Sequence, residues 1–298
     1  MLKLPSRFVA YFMLAVAQFM VGINIVGSKY LLPTTPESMI LFFRFFVATI
    51  VLIFLHVTTN HKRESIAVLF KSLTRQDILF LLAQSLCAGV LFNLLLLWGL
   101  KYTDANVAGI ITSALPAMIT LFSAFFLRER LKVFNALCVV FAVLGLVLLN
   151  MADFHVGGRC ELIGAFIILM ALIPEAAYYI LVKIHVVRLP LFFVSALINA
   201  INIPVLLLIL AITGPHDWHL SLFNWFILFL VALSSAIFYV LWNRAVQVIR
   251  DATSGLFTAF MPISTLVIAS IFLGESINLL QITGMVLVLI SIILNTLA

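Results

Sequence analysis

Apolar runs of about 20 residues recur from one end of this chain to the other, which is the length a helix needs to cross a bilayer. Only short connectors separate them. The runs lack the alternation of apolar and polar residues that membrane β-strands show, and a segment inside lipid must then satisfy its own backbone groups as a helix. The sequence therefore predicts an all-α integral membrane protein.

Ten such runs can be delimited, and they predict ten transmembrane helices. They cover residues 8–27, 38–57, 78–98, 104–126, 132–150, 161–182, 190–212, 223–244, 252–272 and 278–297. Only 9% of the residues are charged, against about 25% in a soluble domain. The longest connector, 58–77, contains the stretch SIAVLFKSL, which is predicted to lie along the membrane surface as a short helix.

The distribution of positive charge predicts the orientation of these helices. With the N-terminus inside, only Lys29, Lys101 and Arg159 of the 17 Lys and Arg residues fall in outer segments, and Arg44 lies within a span. The other 13 fall in inner segments. Cytoplasmic loops are enriched in such residues. We therefore expect cytoplasmic N- and C-termini and a multi-pass location in the cell's inner membrane. The net charge of +6 is then explained by membrane orientation rather than by nucleic-acid binding.

The sequence also repeats. At an offset of 146 residues, Gly, Pro, Thr and Glu recur in one frame, which chance rarely produces in apolar sequence. The pairs are Gly109 with Gly255, Thr112 with Thr258, Pro116 with Pro262 and Glu129 with Glu275. This predicts two five-helix repeats, 1–150 and 151–298. Because five is odd, the second repeat must enter the membrane inverted relative to the first.

The inversion explains why the repeated turn keeps one charge and loses the others. The first copy, FFLRERLKVF, carries three basic residues and faces the cytoplasm, while its equivalent, IFLGESINLL, carries none and faces outward. Both copies keep a glutamate, Glu129 and Glu275. We expect each to have a structural role at a tight helix junction, where it accepts hydrogen bonds from the free N–H groups of the next helix.

Inverted helical repeats are typical of secondary transporters, with the site near the midplane between repeats. Several stretches resemble the EamA family of the drug/metabolite transporter superfamily. They are GINIVGSKYLL, FFRFFVA, LKYTDANVAGIITSALPAMITLFSAFFLRERL and, in the second half, AVQVIRDATSGLFTAFMPISTLVIASIFLGESI. The resemblance implies two inverted five-helix halves around a central cavity, and export of small metabolites, often amino acids or related compounds. The family's frequent Trp near the end of the first span is replaced by Val21-Gly22 here.

Polar residues inside spans are costly unless they face the bundle interior, and they supply the candidate site. The predicted substrate-binding or transport residues are Asn24, Arg44, Asn93, Ser113, Glu175, Tyr178, Tyr179, Tyr239 and Trp242. Hydrogen bonding between helices is the alternative for Ser, Thr and Asn side chains, and packing is the alternative for the aromatic ones. For Arg44 the alternatives are an anchor that reaches the outer headgroups and an electrostatic element of an outer gate.

Pro116 and Pro262 occupy equivalent places in spans four and nine. A proline inside a helix removes one backbone hydrogen bond and bends the helix. Paired interruptions in the two halves of a transporter point to its binding site. We therefore expect these prolines to shape the cavity, with helix packing alone as the alternative.

Glu175 is the acidic residue that lies deepest in a span, and Pro174 directly precedes it. Burial disfavours an ionised carboxylate, so a group that gains and releases a proton there suits a coupling site. The residue is equally suited to bind the ammonium group of an amino-acid-like substrate. The third interpretation is a structural carboxylate that is hydrogen-bonded to a neighbouring helix.

The sequence predicts a secondary active exporter of a small metabolite that works by alternating access, with the bilayer, a small-molecule substrate and protons as its partners. A lipid or lipid-carrier flippase of the same superfamily and a membrane enzyme outside transport are the alternatives. We expect no enzymatic activity, no cofactor, no metal site and no nucleic-acid partner, because no catalytic or phosphate-cradling motif is found in the sequence.

The inverted repeat makes a testable prediction of topology. A reporter fused after Arg130 should report the cytoplasm, and one fused after Glu275 should report the outer side, because the two turns are equivalent but inverted. Paired alkaline phosphatase and fluorescent-protein fusions at both sites measure this. Finding the two turns on the same side of the membrane would exclude the inverted repeat.

Overall fold

The computed structural model describes residues 6–59, 65–112, 114–128, 158–185, 187–213, 220–246, 248, 257, 260–277, 279, 282–287 and 290. Seven helical segments among them are long and apolar enough to cross a membrane, which confirms the all-α membrane class. They coincide with predicted spans one to four and six to eight. The predicted span 132–150 lies outside the described residues, and 252–272 and 278–297 are described in part, so the count of ten stays a prediction.

The helices of the first half follow the predicted spans with short interruptions. Spans one and two are single helices, spans three and four are divided, and a short helix precedes span three. The elements are α1 (Arg7–Leu31), α2 (Glu37–Thr59), α3 (Ile66–Lys71), α4 (Arg75–Gln84), a π-helical segment (Ser85–Leu91), α5 (Phe92–Leu100), α6 (Ala105–Thr112) and α7 (Leu115–Phe126).

The described helices of the second half are longer. Each of spans six, seven and eight is one continuous helix, and the described part of span nine is a shorter one. The elements are α8 (Gly158–Ile184), α9 (Leu191–Ile212), α10 (Leu222–Val246) and α11 (Phe260–Phe272).

The start of span three is set by its sequence. Thr74 and Asp77 form a capping box, in which the Asp77 backbone N–H donates to Thr74 Oγ1 at 3.1 Å and the Thr74 backbone N–H donates to Asp77 Oδ2 at 2.9 Å. This arrangement satisfies N–H groups that a helix start otherwise leaves free. The helix predicted in the 58–77 connector is present as α3, and its Leu69 is buried in one cluster with Leu81 and Phe193.

The main packing contacts run between the two halves of the chain. Helix α1 packs along α10, and α8 packs in the equivalent way along α4, the π-helical segment and α5. Helix α1 also packs on α11, while α8 packs on α6 and α7. Helix α2 packs on α9, and α6 packs on α11. These pairings between the halves come in equivalent sets: α1 with α10 matches α8 with the helices of span three, and α1 with α11 matches α8 with α6 and α7.

Small residues allow two of these pairs to approach closely. A Cβ atom on Gly164 of α8 would lie 2.8 Å from the Gly99 carbonyl oxygen of α5, and one on Gly109 of α6 would lie 2.9 Å from the Thr265 side chain of α11. Membrane helices gain little from the hydrophobic effect on association, so their packing relies on such close backbone contact. Large apolar side chains such as Phe8 and Phe125 remain exposed on the outside of the bundle, where lipid would cover them.

Replacing Gly164 by Val should destabilise the protein, because its new side chain would overlap the Gly99 carbonyl and the backbone of Thr103. We expect a loss of about 1–3 kcal/mol in stability, as for other overpacked sites. Thermal unfolding in detergent measures the loss. Ile163→Val, which changes an exposed neighbour in the same helix, is the matched control. Equal melting temperatures for both variants would contradict the close contact.

Candidate functional site

Polar side chains from both halves meet inside the bundle at Ser235 of α10. Asn24 of α1 donates from Nδ2 to Ser235 Oγ at 2.6 Å and to the Val231 carbonyl oxygen at 3.2 Å. Arg44 of α2 donates from Nε to the same Ser235 hydroxyl oxygen at 3.1 Å. One hydroxyl of the second half therefore holds two donors of the first half, and we call Asn24, Arg44 and Ser235 the serine cluster.

Arg44 points into the bundle rather than toward the outer headgroups. Besides its bond to Ser235, its guanidinium group lies close enough to Tyr239 of α10 to interact with it electrostatically. The sequence left open whether Arg44 is an interfacial anchor or part of an electrostatic gate. Its two partners on α10 favour a role inside the protein.

Glu175 lies at a depth similar to that of Tyr239. Glu175 follows the first residue of α8, Gly158, by 17 residues, and Tyr239 follows the first residue of α10, Leu222, by 17 residues. At 1.5 Å per residue, each lies about 25 Å along its helix. Both helices are predicted to begin at the outer face, so the two side chains fall on the inner side of the midplane.

Three tyrosines lie within electrostatic reach of the Glu175 carboxyl group. They are Tyr178 and Tyr179 on the same helix and Tyr239 on α10. The rings of Tyr178 and Tyr179 make an edge-to-face contact with centroids 5.2 Å apart. We call Glu175 and these three residues the tyrosine–glutamate cluster. Because Tyr239 also interacts with Arg44, it connects this cluster to the serine cluster.

The Glu175 carboxyl group is buried on one side without a hydrogen-bond partner. Its Oε2 atom is inaccessible and accepts no bond from any described residue. Pro174 lies inside α8 and has no N–H group, so the Met170 carbonyl four residues earlier loses its helical donor. The structural interpretation, a carboxylate tied to a neighbouring helix, therefore has no supporting bond at this oxygen among the described residues.

Other predicted site residues have local contacts. Asn93 donates from Nδ2 to the carbonyl oxygens of Ala88 at 2.8 Å and Gly89 at 2.7 Å, within its own span. Trp242 stacks on Phe238 with centroids 5.9 Å apart and packs against the buried cluster at the start of α1. Ser113 lies outside the described residues.

Pro116 lies in the first turn of a helix. Span four is interrupted between α6 and α7, and Pro116 is the second residue of α7. Proline suits a first turn, because the N–H group it lacks would have no helical acceptor there. Pro262 lies in α11, whose described part begins at Phe260. The interruption places the end of α6 and the start of α7 inside the bundle.

Sequence reasoning did not select Ser235, although it joins Asn24 to Arg44. The polar pair Ser234-Ser235 within an apolar span was the available signal, but it does not show which serine faces inward. A second contact between halves was also missed. Ser85 donates to Asn202 Oδ1 at 2.8 Å, where the Asn202 side chain packs against Gly89 in the π-helical segment.

Glu275 has the predicted bonding role, but toward a different helix. Its Oε1 accepts from the Ala105 backbone N–H at 2.9 Å and its Oε2 accepts from the Asn106 N–H at 2.9 Å. It therefore caps α6, the beginning of span four in the other half, whereas the sequence predicted the helix that follows Glu275. The tight turn after α11, with Gly274 at a φ of 67°, directs the carboxylate across the interface. Glu129 lies outside the described residues.

An open cleft of about 500 Å³ lies beside this cap. Among the charged residues that line it are Lys29, Asp104 and Glu275. Lys29 Nζ donates to the carbonyl oxygens of Leu100 at 2.6 Å and Thr103 at 2.7 Å. Burial raises the pKa of Glu275 above its ordinary value, and the nearby Asp104 adds to this, while the two N–H bonds and Lys29 act against it.

Comparison with known proteins identifies the family. A model of the EamA-like transporter family matches residues 8–151 and again residues 162–297. The chain belongs to the EamA-like transporter family. The resemblance seen in the sequence is therefore confirmed, and the EamA-like chain is a membrane transporter by family.

Two relatives of this EamA-like protein match nearly its whole length. The uncharacterized transporter YetK of Bacillus subtilis is 26% identical over 285 residues, which are 94% of this chain and 84% of that protein. An uncharacterized transporter of Methanothermobacter thermautotrophicus is 27% identical over 306 residues, with coverage of 94% and 84%. A solved crystal structure aligns over 98% of both chains with a TM-score of 0.66 at 15% identity, which shows a shared fold.

The serine cluster predicts that Ser235 contributes more to the stability of this EamA-like transporter than its neighbour Ser234. Ser235→Ala should lower stability by about 0.6–2 kcal/mol, because it removes the hydroxyl that accepts from both Asn24 and Arg44. Ser234→Ala is the matched control, since within the described part of the chain the Ser234 hydroxyl donates to the Val231 carbonyl of its own helix, at 2.8 Å, and makes no bond to the other half. Melting temperatures in detergent measure both, and a Ser234→Ala loss as large as that of Ser235→Ala would contradict the cluster.

Proposed function

We propose that this protein is a proton-coupled secondary transporter of the inner membrane that exports a small metabolite, such as an amino acid or a derivative of one. The observation that carries the proposal is the environment of Glu175. One carboxyl oxygen of this residue is buried without a hydrogen-bond partner among the described residues, and three tyrosines lie within electrostatic reach of the group.

The position of Glu175 suits a group that alternates between two protonation states. An ionised carboxylate in a low-dielectric interior is costly, and a proton or a cationic substrate group removes that cost. A proton and an ammonium group then compete for the same carboxylate. Competition of this kind couples the two movements, because each occupant leaves only when the other arrives or when the site opens to water.

The same site offers partners for the rest of an amino-acid-like molecule. Tyr239 interacts electrostatically with both Arg44 and Glu175, so a cation and a carboxyl group lie near the same tyrosine. The tyrosine rings supply apolar surface for a side chain, and their hydroxyl groups supply hydrogen bonds. A zwitterion carries the complementary charges at its two ends.

The helix pairings support an alternating-access mechanism. The pairing of α1 with α10, and of α8 with the helices of span three, supports a site between equivalent units of the two halves. Rocking of one half against the other would expose a site in this place first to one face and then to the other. The positive charges of the predicted inner connectors support cytoplasmic termini.

A lipid flippase, the alternative within the superfamily, would need basic groups at headgroup depth. Arg44 is bound to Ser235 inside the bundle, which does not favour a lipid substrate. The enzyme alternative gains no support from the family, whose matched relatives are described as transporters.

Glu175→Gln should abolish proton-driven transport while the protein stays folded and inserted, because Gln keeps the shape but cannot titrate. Uptake driven by a pH gradient in proteoliposomes, with candidate amino acids from comparative metabolite profiling of producing cells, measures this. Glu161→Gln is the matched control, since it removes an acid from the first turn of the same helix. Undiminished pH-driven transport by Glu175→Gln would exclude the residue from coupling.

A further inference from the structure

The segment between spans three and four is held from three directions at the predicted outer face. Glu275 of the second half binds the N–H groups of Ala105 and Asn106. Lys29 at the end of α1 binds the carbonyl oxygens of Leu100 and Thr103. Glu37 at the start of α2 forms an ion pair with Lys101. Of these three restraints, only the one made by Glu275 connects the two halves of the chain.

The charges match the ends of the helices that they bind. Lys29 faces carbonyl groups at the end of α5, where a helix carries partial negative charge, and Glu275 faces N–H groups at the start of α6, where a helix carries partial positive charge. Hydrogen bonds to an ionised group are stronger than those between neutral groups. Glu275 uses both of its carboxylate oxygens in this contact, so each oxygen restrains a different residue of α6.

Below this contact, α6 and α11 pack tightly against each other. Gly109 of α6 lies against Thr265 of α11, and Thr265 is fully buried, as is Ala269 one turn further toward Glu275. The predicted topology places α6 and α11 in the outer parts of spans four and nine. Their contact therefore closes the outer side between the halves, and the Glu275 bonds lie at its outermost end.

We propose that Glu275 is an outer gating residue, whose bonds to Ala105 and Asn106 hold the outer halves of spans four and nine together while the outer side is closed. The proposal rests on the alternating access described above, since a contact between the halves at this face must break before the site can open outward. Glu275 acts on the position of α6 and does not touch the site itself. It sets how often the outer side opens rather than which substrate binds.

The test measures access to a buried position between α6 and α11. Thr265→Cys, introduced after the three native cysteines have been replaced, reports opening of the outer side when it reacts with a membrane-impermeant maleimide in proteoliposomes without substrate. Adding Glu275→Gln removes one of the two acceptor oxygens. We expect the labelling rate to rise about tenfold, the equilibrium change produced by losing roughly one charge-assisted hydrogen bond.

Two controls separate gating from general loosening of the fold. Ala10→Cys, buried beside Ala245 near the predicted inner face, should label no faster with Glu275→Gln than without it. Asp104→Asn removes a negative charge from the same cleft without removing a bond between the halves, and it should leave Thr265→Cys labelling within about twofold.

Unchanged labelling of Thr265→Cys in the Glu275→Gln protein would overturn the proposal. An equal rise in labelling at Thr265→Cys and Ala10→Cys would also overturn it, because it would show that Glu275 is only a structural cap. Because labelling needs neither substrate nor a pH gradient, its outcome is independent of the coupling role of Glu175. A protein in which Glu175→Gln transports normally and Glu275→Gln opens the outer side would retain this inference and lose the coupling proposal.

Discussion

Hydrogen-bonding groups inside a bilayer must find partners within the protein, and this requirement organises the structure. Regular helices satisfy most of their backbone N–H and C=O groups internally. The groups that need other partners are polar side chains and the backbone groups at helix ends or in irregular turns. Asn93 donates to carbonyl oxygens of the π-helical segment, and Ser235 accepts from two helices of the other half. Glu275 satisfies the first N–H groups of α6 from across the interface. These bonds add directional contacts to packing that is otherwise apolar.

Several described side chains have a buried polar atom without a hydrogen-bond partner, and Glu175 is the one among them that carries a carboxyl group. A carboxyl oxygen that is buried without a partner among the described residues costs free energy, and a protein keeps such a group where its function uses it. The serine cluster, by contrast, is bonded and connects three helices, α1, α2 and α10. The bonded serine cluster thus differs from the Glu175 carboxyl group, whose Oε2 atom has no partner among the described residues.

Much of this organisation could be predicted from the sequence. The lengths of the apolar runs predicted spans one to four and six to eight, and the short connector helix was recognised from its composition. The polar residues Asn24, Arg44, Glu175 and Tyr239 were selected because a charged or polar group inside a span must face the interior. These signals are local, and each can be recognised within one helix.

The partners of these residues could not be predicted in the same way. Whether Asn24 bonds to Ser235 or to its own helix depends on the rotation of α10, which a nearly uniform apolar sequence does not determine. The start of the π-helical segment at Ser85 could not be predicted, because no proline or pair of glycines marks it in the sequence. Glu275 shows the limit most clearly: its bonding role follows from its place at a helix junction, but the helix that it caps lies 170 residues earlier in the chain.

The π-helical segment also bears on how span three can change in length. At its end, the N–H group of Phe92 donates to the Cys87 carbonyl, five residues back, so one more residue is wound into the turn than an α-helix would use. The ends of the span are fixed by Thr74 and by the contact of Gly99 with Gly164, yet the extra residue disturbs neither. Removing that one residue would return the turn to α-helical winding, so a one-residue deletion here would leave the orientation of the two helix ends of span three unchanged.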